Sequence, residues 1–198
     1  MLKVISISGR THTDKQEVLR ALHDRLHDAR IVLSDTTRDP RPTDIPHMRW
    51  HRSYSDYNYV RRTSPFLWSV HHAGQNYGTS AFALDCVFRK PNTVGLMNVM
   101  PDVVLELNRV VTERTGDPES HVAVFILSTG DKIMTRNRRF SGVRVGLIGE
   151  DRRPKTAVEE EYWYLLASLN AERVPTLFVR NNVTPERTAE VIIRRLGL

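Results

Sequence analysis

Apolar residues in this chain follow two rhythms: short unbroken runs, and longer stretches in which they return every three or four positions. The runs at 3–8, 31–33, 93–100, 121–127 and 175–179 read as strands, each too short for a globular helix. Between 14 and 29, Val18, Leu19, Leu22 and Leu26 fall on one helical face. A second helix opens at Pro101 and carries Val103, Val104, Leu107, Val110 and Val111. A third is expected over 156–170, with Glu159, Glu160 and Glu161 in its N-terminal half, favourable against the helix dipole. The last starts at Thr184-Pro185-Glu186 and buries Ala189, Ile192 and Ile193. Strands alternating with helices predict a parallel sheet covered on both faces.

Residues 40–91 break this alternation. Short pieces are expected there: a strand over 46–51, a helix over 54–62, a strand over 66–70 and a helix over 81–89. They read as a lobe inserted into the α/β core.

Composition narrows the picture. Hydrophobic content of 40% and charged content of 26% are ordinary for a soluble globular protein, and no apolar run approaches a membrane span. The first apolar run is too short for a secretory leader, so a cytoplasmic location is the expectation. Cys86 is the one cysteine, which rules out an intrachain disulfide and a cysteine-based metal cluster. Net charge is +6 before the histidines, which suits anionic ligands. Much of it is concentrated between Lys132 and Lys155, where Arg136, Arg138, Arg139, Arg144, Arg152 and Arg153 face only Glu150 and Asp151. Such a segment could serve as a solvated face, a nucleic-acid stripe or a lid closing over phosphates.

Three stretches carry candidate chemistry. The first strand runs into Gly9-Arg10-Thr11-His12-Thr13-Asp14-Lys15-Gln16 and then a helix, the strand–loop–helix context of a phosphate-binding loop. Gly9 and Lys15 match the G-x-x-x-x-G-K-[S/T] pattern. Asp14 stands where the second glycine belongs and Gln16 where the Mg²⁺-binding hydroxyl belongs. The second stretch is Ser34-Asp35-Thr36-Thr37-Arg38-Asp39-Pro40-Arg41-Pro42, where prolines keep the backbone extended and hold two arginines three apart. Guanidinium forks match phosphate oxygens two at a time, and the Ser34, Thr36 and Thr37 hydroxyls could fill remaining acceptor sites. The third is Gly74-Gln75-Asn76-Tyr77-Gly78-Thr79-Ser80.

A phosphate loop, then TTR-x-PRP, then YGTS, in this order, resembles the guanylate kinase family over most of the chain. The resemblance implies a P-loop kinase-type α/β fold: a parallel sheet flanked by helices, with an inserted mixed α+β lobe that binds a nucleoside monophosphate and a basic lid. The core would comprise 1–34, 92–130 and 157–198, the acceptor lobe 35–91, and the lid about 131–156. It implies ATP at Gly9, Arg10, Thr11, His12, Thr13, Asp14, Lys15 and Gln16, with Asn181 or Asn182 against adenine and Mg²⁺ carried with ATP. Lys15, Arg138, Arg139, Arg152 and Arg153 would assist phosphoryl transfer. Ser34, Arg38, Arg41 and Tyr77 would hold the acceptor's phosphate, with Trp50 at the place of a family tyrosine. Thr79 would touch the base, Trp68 stands where the family has a base-reading glutamate, and Asn98 lies near a family aspartate pair. Trp50 and Tyr77 could equally be core aromatics.

Two function classes follow. One is an ATP-dependent kinase for GMP, dGMP or another monophosphate, since no carboxylate stands at the base-reading positions. The other is a binding module that keeps the arginine site without the transfer chemistry. No membrane partner is expected, and a nucleic-acid partner is the weaker reading of the basic segment.

Overall fold

The structure is a computed structural model describing residues 1–9, 13–40, 44, 49–72, 74–127, 165–180 and 183–198. Among these, five parallel strands form one sheet in the order β2-β7-β1-β8-β9. They are β1 (Val4–Gly9), β2 (Ala29–Ile31), β7 (Val94–Asn98), β8 (His121–Leu127) and β9 (Thr176–Arg180). A second, mixed sheet runs β4-β3-β6-β5, from β3 (Ser34–Thr36), β4 (Arg49–His51), β5 (Phe66–His72) and β6 (Gln75–Ser80).

Alternation along the central strands divides the core in two. Ile5, Ile7, Val124 and Ile126 meet Val18, Leu19 and Leu22 of α1 (Lys15–Arg25) and Ala189 and Ile192 of α6 (Pro185–Leu196). Val4, Ala123, Phe125 and Leu127 share the opposite cluster. Its other members include Leu84 and Val87 of α3 (Ala81–Phe88), Val104 and Leu107 of α4 (Val104–Thr115), and Ala167 of α5 (165–171). A sheet apolar on both faces must be covered on both, which is why its strands read as continuous apolar runs. A separate helix, α2 (Tyr54–Thr63), lies between β4 and β5 and is capped by the Ser53 hydroxyl, which accepts from Asp56 N–H.

Several boundaries differ from the sequence expectation. Of the strand expected over 31–33, only Ile31 lies in a strand, as the last residue of β2; Val32 and Leu33 link it to β3 in the other sheet. Ala29, Arg30 and Ile31 pair with Val94, Gly95 and Leu96, and three residues later Ser34 begins to pair with Arg49. Helix α1 stops at Arg25 because Leu26 turns extended; it still packs on the core, but after the helix has ended. The helix opened by Pro101 begins as a 3-10 turn, Pro101–Val103, and ends at Gly116, whose φ of 71° suits a residue without a Cβ. Of the helix expected over 156–170, residues 156–164 with their three glutamates lie outside the described residues.

Polar contacts brace the core. His121 is fully buried, its Nε2 2.8 Å from Ser6 Oγ and its Nδ1 3.2 Å from Asn108 Oδ1. Burial lowers its pKa to about 3, so the ring is neutral: Nδ1–H donates to Asn108 and Nε2 accepts from Ser6.

Candidate functional site

The carboxyl ends of β1 and β7 meet the N-terminus of α1 and the inner face of the second sheet. Crevices at such strand ends are where open α/β sheets bind ligands. At the loop, Gly9 is confined: a Cβ there would lie 2.6 Å from Thr13 Oγ1 and 2.9 Å from the Ile126 carbonyl oxygen. Only glycine lets the chain leave β1 along this path. Asp14 precedes α1 with φ 51° and ψ 32°, the one non-glycine residue with positive φ among those described. The position therefore has the backbone for which a glycine is suited, and aspartate tolerates it at a cost of about 1–2 kcal/mol.

Lys15 opens α1, its Nζ 3.5 Å from the buried Thr13 hydroxyl. Burial, and then the neighbouring charge of Arg49, lower its pKa to about 8, with Glu17 and Asp14 partly offsetting them. A helix N-terminus carrying a partly buried lysine attracts anions.

The second sheet supplies the facing wall. By register, Ser34 stands beside Arg49, Thr36 beside Tyr77, Val70 beside Tyr77 and Trp68 beside Thr79. These side chains share the inner face. Ser34 Oγ lies 2.9 Å from Thr79 Oγ1, and the Arg49 guanidinium carbon lies 5.8 Å from the centre of the Tyr77 ring. Gln16 of α1, Ser34, Arg49 and Asn98 line a cavity of about 10 Å³, room for roughly one water. Residues of α1, β7 and the second sheet meet there.

The geometry corrects several expectations. Trp50 pairs with Asp35 and lies on the outer face of β4, 54% exposed, with Arg52 over its ring at 6.0 Å. Strand alternation gives the inner position to Arg49, which the sequence reading did not single out. Arg52 in turn is ion-paired to the buried Asp35. Trp68 is not open to a base: it is 8% exposed within the apolar cluster of Val104 and Leu107, and its buried indole N–H has no partner among the described residues.

The Arg38 fork is occupied as well. Its Nη2 donates to both Asp44 carboxylate oxygens, at 2.7 and 2.8 Å, and Nη1 donates to the Asp39 carbonyl at 2.8 Å. His51 Nδ1 donates to the Arg38 carbonyl at 2.7 Å. The hydroxyls of this stretch also have internal partners. Thr36 accepts from Arg38 N–H, while Thr37 accepts from Asn76 N–H and donates to Gln75. They shape the loop before any ligand arrives.

One acid near this wall escaped the sequence reading. Asp102 follows β7 by four residues, and burial raises its carboxyl above the usual range, partly opposed by His72 at the end of β5. Its only sequence signal is its place just past an apolar strand. Arg10, Thr11, His12, Arg41, Arg138, Arg139, Arg152, Arg153, Asn181 and Asn182 lie outside the described residues. Among those described, no group of three His, Cys, Asp or Glu could hold a metal, and no helix is long and apolar enough to cross a membrane.

Taken together, the five-stranded parallel sheet with helices on both faces and a separate mixed sheet define a P-loop kinase-type α/β fold. The fold is guanylate-kinase-like: the chain superposes on the guanylate kinase from Anaplasma phagocytophilum with a TM-score of 0.59, at 14% identity, covering 99% of this chain and 85% of that one. No family model matches the chain, and no curated protein matches it in sequence.

Proposed function

We propose that this protein is an ATP-dependent nucleoside monophosphate kinase of guanylate-kinase type. The observation that carries the reading is the cavity at which the α1 N-terminus, the end of β7 and the inner face of the second sheet converge. ATP phosphates would lie over the turn from Gly9 to Lys15, and the acceptor's phosphate against Arg49 and Tyr77. Residues 35–91 would act as the acceptor lobe, with Arg41 as a second phosphate ligand. Residues 131–156 would act as the lid, delivering Arg138, Arg139, Arg152 and Arg153, and Asn181 would lie near adenine.

In the transfer, an oxygen of the acceptor's phosphate attacks the γ-phosphorus of ATP. The bond from that phosphorus to the β,γ-bridging oxygen breaks, and its electron pair stays on the ADP product. A dianionic acceptor needs no proton removed, so the protein's part is to position the two nucleotides and supply positive charge. Mg²⁺ would arrive on the ATP phosphates and neutralise part of their charge. Gln16 fits it only as a neutral amide-oxygen ligand, weaker than the usual hydroxyl or carboxylate set.

A second reading is favoured by Arg38, whose fork is filled by Asp44. It is a guanylate-kinase-like module that binds a phosphate-bearing ligand without transfer. A coupled ADP-release assay with ATP and Mg²⁺, across ribo- and deoxynucleoside monophosphates, separates the two. Turnover with one or more acceptors is the expected result. Binding without ADP release selects the module.

A further inference from the structure

We infer that the cleft between α3 and the outer face of the second sheet is a second ligand site, for a planar aromatic carboxylate. It is separate from the candidate site and independent of the kinase reading.

The cleft follows from the path of the chain. Strands β3 to β6 are consecutive, so the chain enters the second sheet through Val32-Leu33 and leaves it at Ser80, where α3 begins. Both crossings wall a cleft of about 490 Å³, within the roughly 300–1,000 Å³ of small-molecule sites. Strand alternation keeps it apart from the candidate site. Ser34 and Arg49 line that site, whereas their neighbours Asp35 and Trp50 line the cleft.

Shape and charge name the ligand. Trp50 of β4 and Phe82 of α3 line the cleft while 54% and 65% exposed, and aromatic rings in a concave wall are matched by another flat ring. Arg52 lies over Trp50 and is already ion-paired to the buried Asp35, so that couple is neutral. Arg30 differs. Its neighbours Ala29 and Ile31 pack into the cluster of α1 and α6, which sends Arg30 to the α3 side. Among the described residues its side chain has no ion pair or hydrogen bond. Asp35 is the one acid among the lining residues, against Arg30 and Arg52, so the wall carries one uncompensated positive charge. A carboxylate brings a single negative charge and accepts the guanidinium fork in two prongs. A phosphate monoester brings nearly two, and the excess would face the Asp35 carboxylate.

The test titrates 2-naphthoate, the neutral 2-naphthylmethanol and 2-naphthyl phosphate into wild type, Arg30→Gln and Phe82→Ala by calorimetry. Both substitutions change exposed side chains, and thermal melts check that the variants are folded, with Trp50→Ala as a second aromatic variant. Naphthoate should bind wild type, the alcohol about fivefold more weakly, and the phosphate no more tightly than naphthoate. Arg30→Gln should erase the difference between acid and alcohol, whereas Phe82→Ala should weaken both by a similar factor of about five. Occupancy should also slow the alkylation of Cys86 by iodoacetamide several-fold, since the chain's one cysteine lines the same wall. Three results would each overturn the inference: no binding of naphthoate, an acid-to-alcohol ratio unchanged in Arg30→Gln, or alkylation of Cys86 at the same rate under saturating naphthoate. Tighter binding of the phosphate, lost in Arg30→Gln, would give the cleft to a phosphate-bearing ligand and overturn the choice of carboxylate. A dimer in sedimentation that Phe82→Ala dissociates would give it to a second copy of the chain instead.

Discussion

Arg38 and Asp44 form a two-pronged ion pair, with Nη2 at 2.7 and 2.8 Å from the two carboxylate oxygens and both side chains largely shielded from solvent. The pair holds Arg38 in place through the loop after β3 while occupying the fork that a phosphate would use. Asp44→Asn should leave a mostly buried cation short of charge compensation and destabilise the protein by about 2 kcal/mol. Inorganic phosphate or a monophosphate should restore the variant's melting temperature by more than it raises that of wild type. Equal ligand-induced shifts in both proteins would show that Arg38 does not face the anion.

Asp14 holds a left-handed backbone beside the expected path of the ATP phosphates. Asp14→Gly removes the Cβ penalty, about 1 kcal/mol after the entropic cost of glycine, and also removes a negative charge. ATP affinity measured by calorimetry should rise several-fold, with no loss of thermal stability. A weaker-binding Asp14→Gly would mean that the carboxylate contributes to the site.

Lys15 has a pKa near 8, so it loses its charge within an accessible pH range. The cation is the form that attracts phosphate, and ATP affinity should therefore fall as pH rises through about 8. Lys15→Met should flatten that limb, weaken ATP by about 1.5–3 kcal/mol and leave the fold intact by circular dichroism. A falling limb that persists unchanged in Lys15→Met would assign it to another group.

His121 is buried and neutral, with a pKa near 3 in the folded chain against about 6.5 when unfolded. Below pH 6.5 the unfolded chain takes up a proton that the folded one refuses. Stability from this residue is thus complete above that pH and lost progressively down towards pH 3, by about 1.4 kcal/mol per unit. Urea unfolding between pH 7 and 5 should show this slope in wild type. In His121→Gln it should be shallower, although that variant is less stable at pH 7 because the bonds to Ser6 and Asn108 are disturbed. Parallel slopes in the two proteins would clear His121 of the effect.

What the sequence determined by itself is local and periodic. The run His121–Leu127 forms a strand over those same residues because a continuous apolar heptad can be buried on both faces only in a covered parallel sheet. Thr184 caps α6 and Pro185 opens it, as their chemistry requires, with the Thr184 hydroxyl accepting from Arg187 N–H. A strand ending near Gly9 and a helix beginning near Lys15 were likewise legible. Pairing was not. Which residue of Arg49-Trp50 faces inward depends on the register of β4 against β3, and a shift of one residue exchanges every side chain between faces. The strand expected over 31–33 gives way to a crossing from one sheet to the other at Val32 and Leu33, because the partners of the flanking strands, β7 on one side and β4 and β6 on the other, lie far along the chain. Trp68 reads as a ligand by position yet is buried, because α4 supplies apolar surface that only tertiary packing brings to it. Arg38 reads as an open fork in sequence. The fold decides otherwise, since an arginine largely withdrawn from water needs a counter-charge and Asp44 provides one.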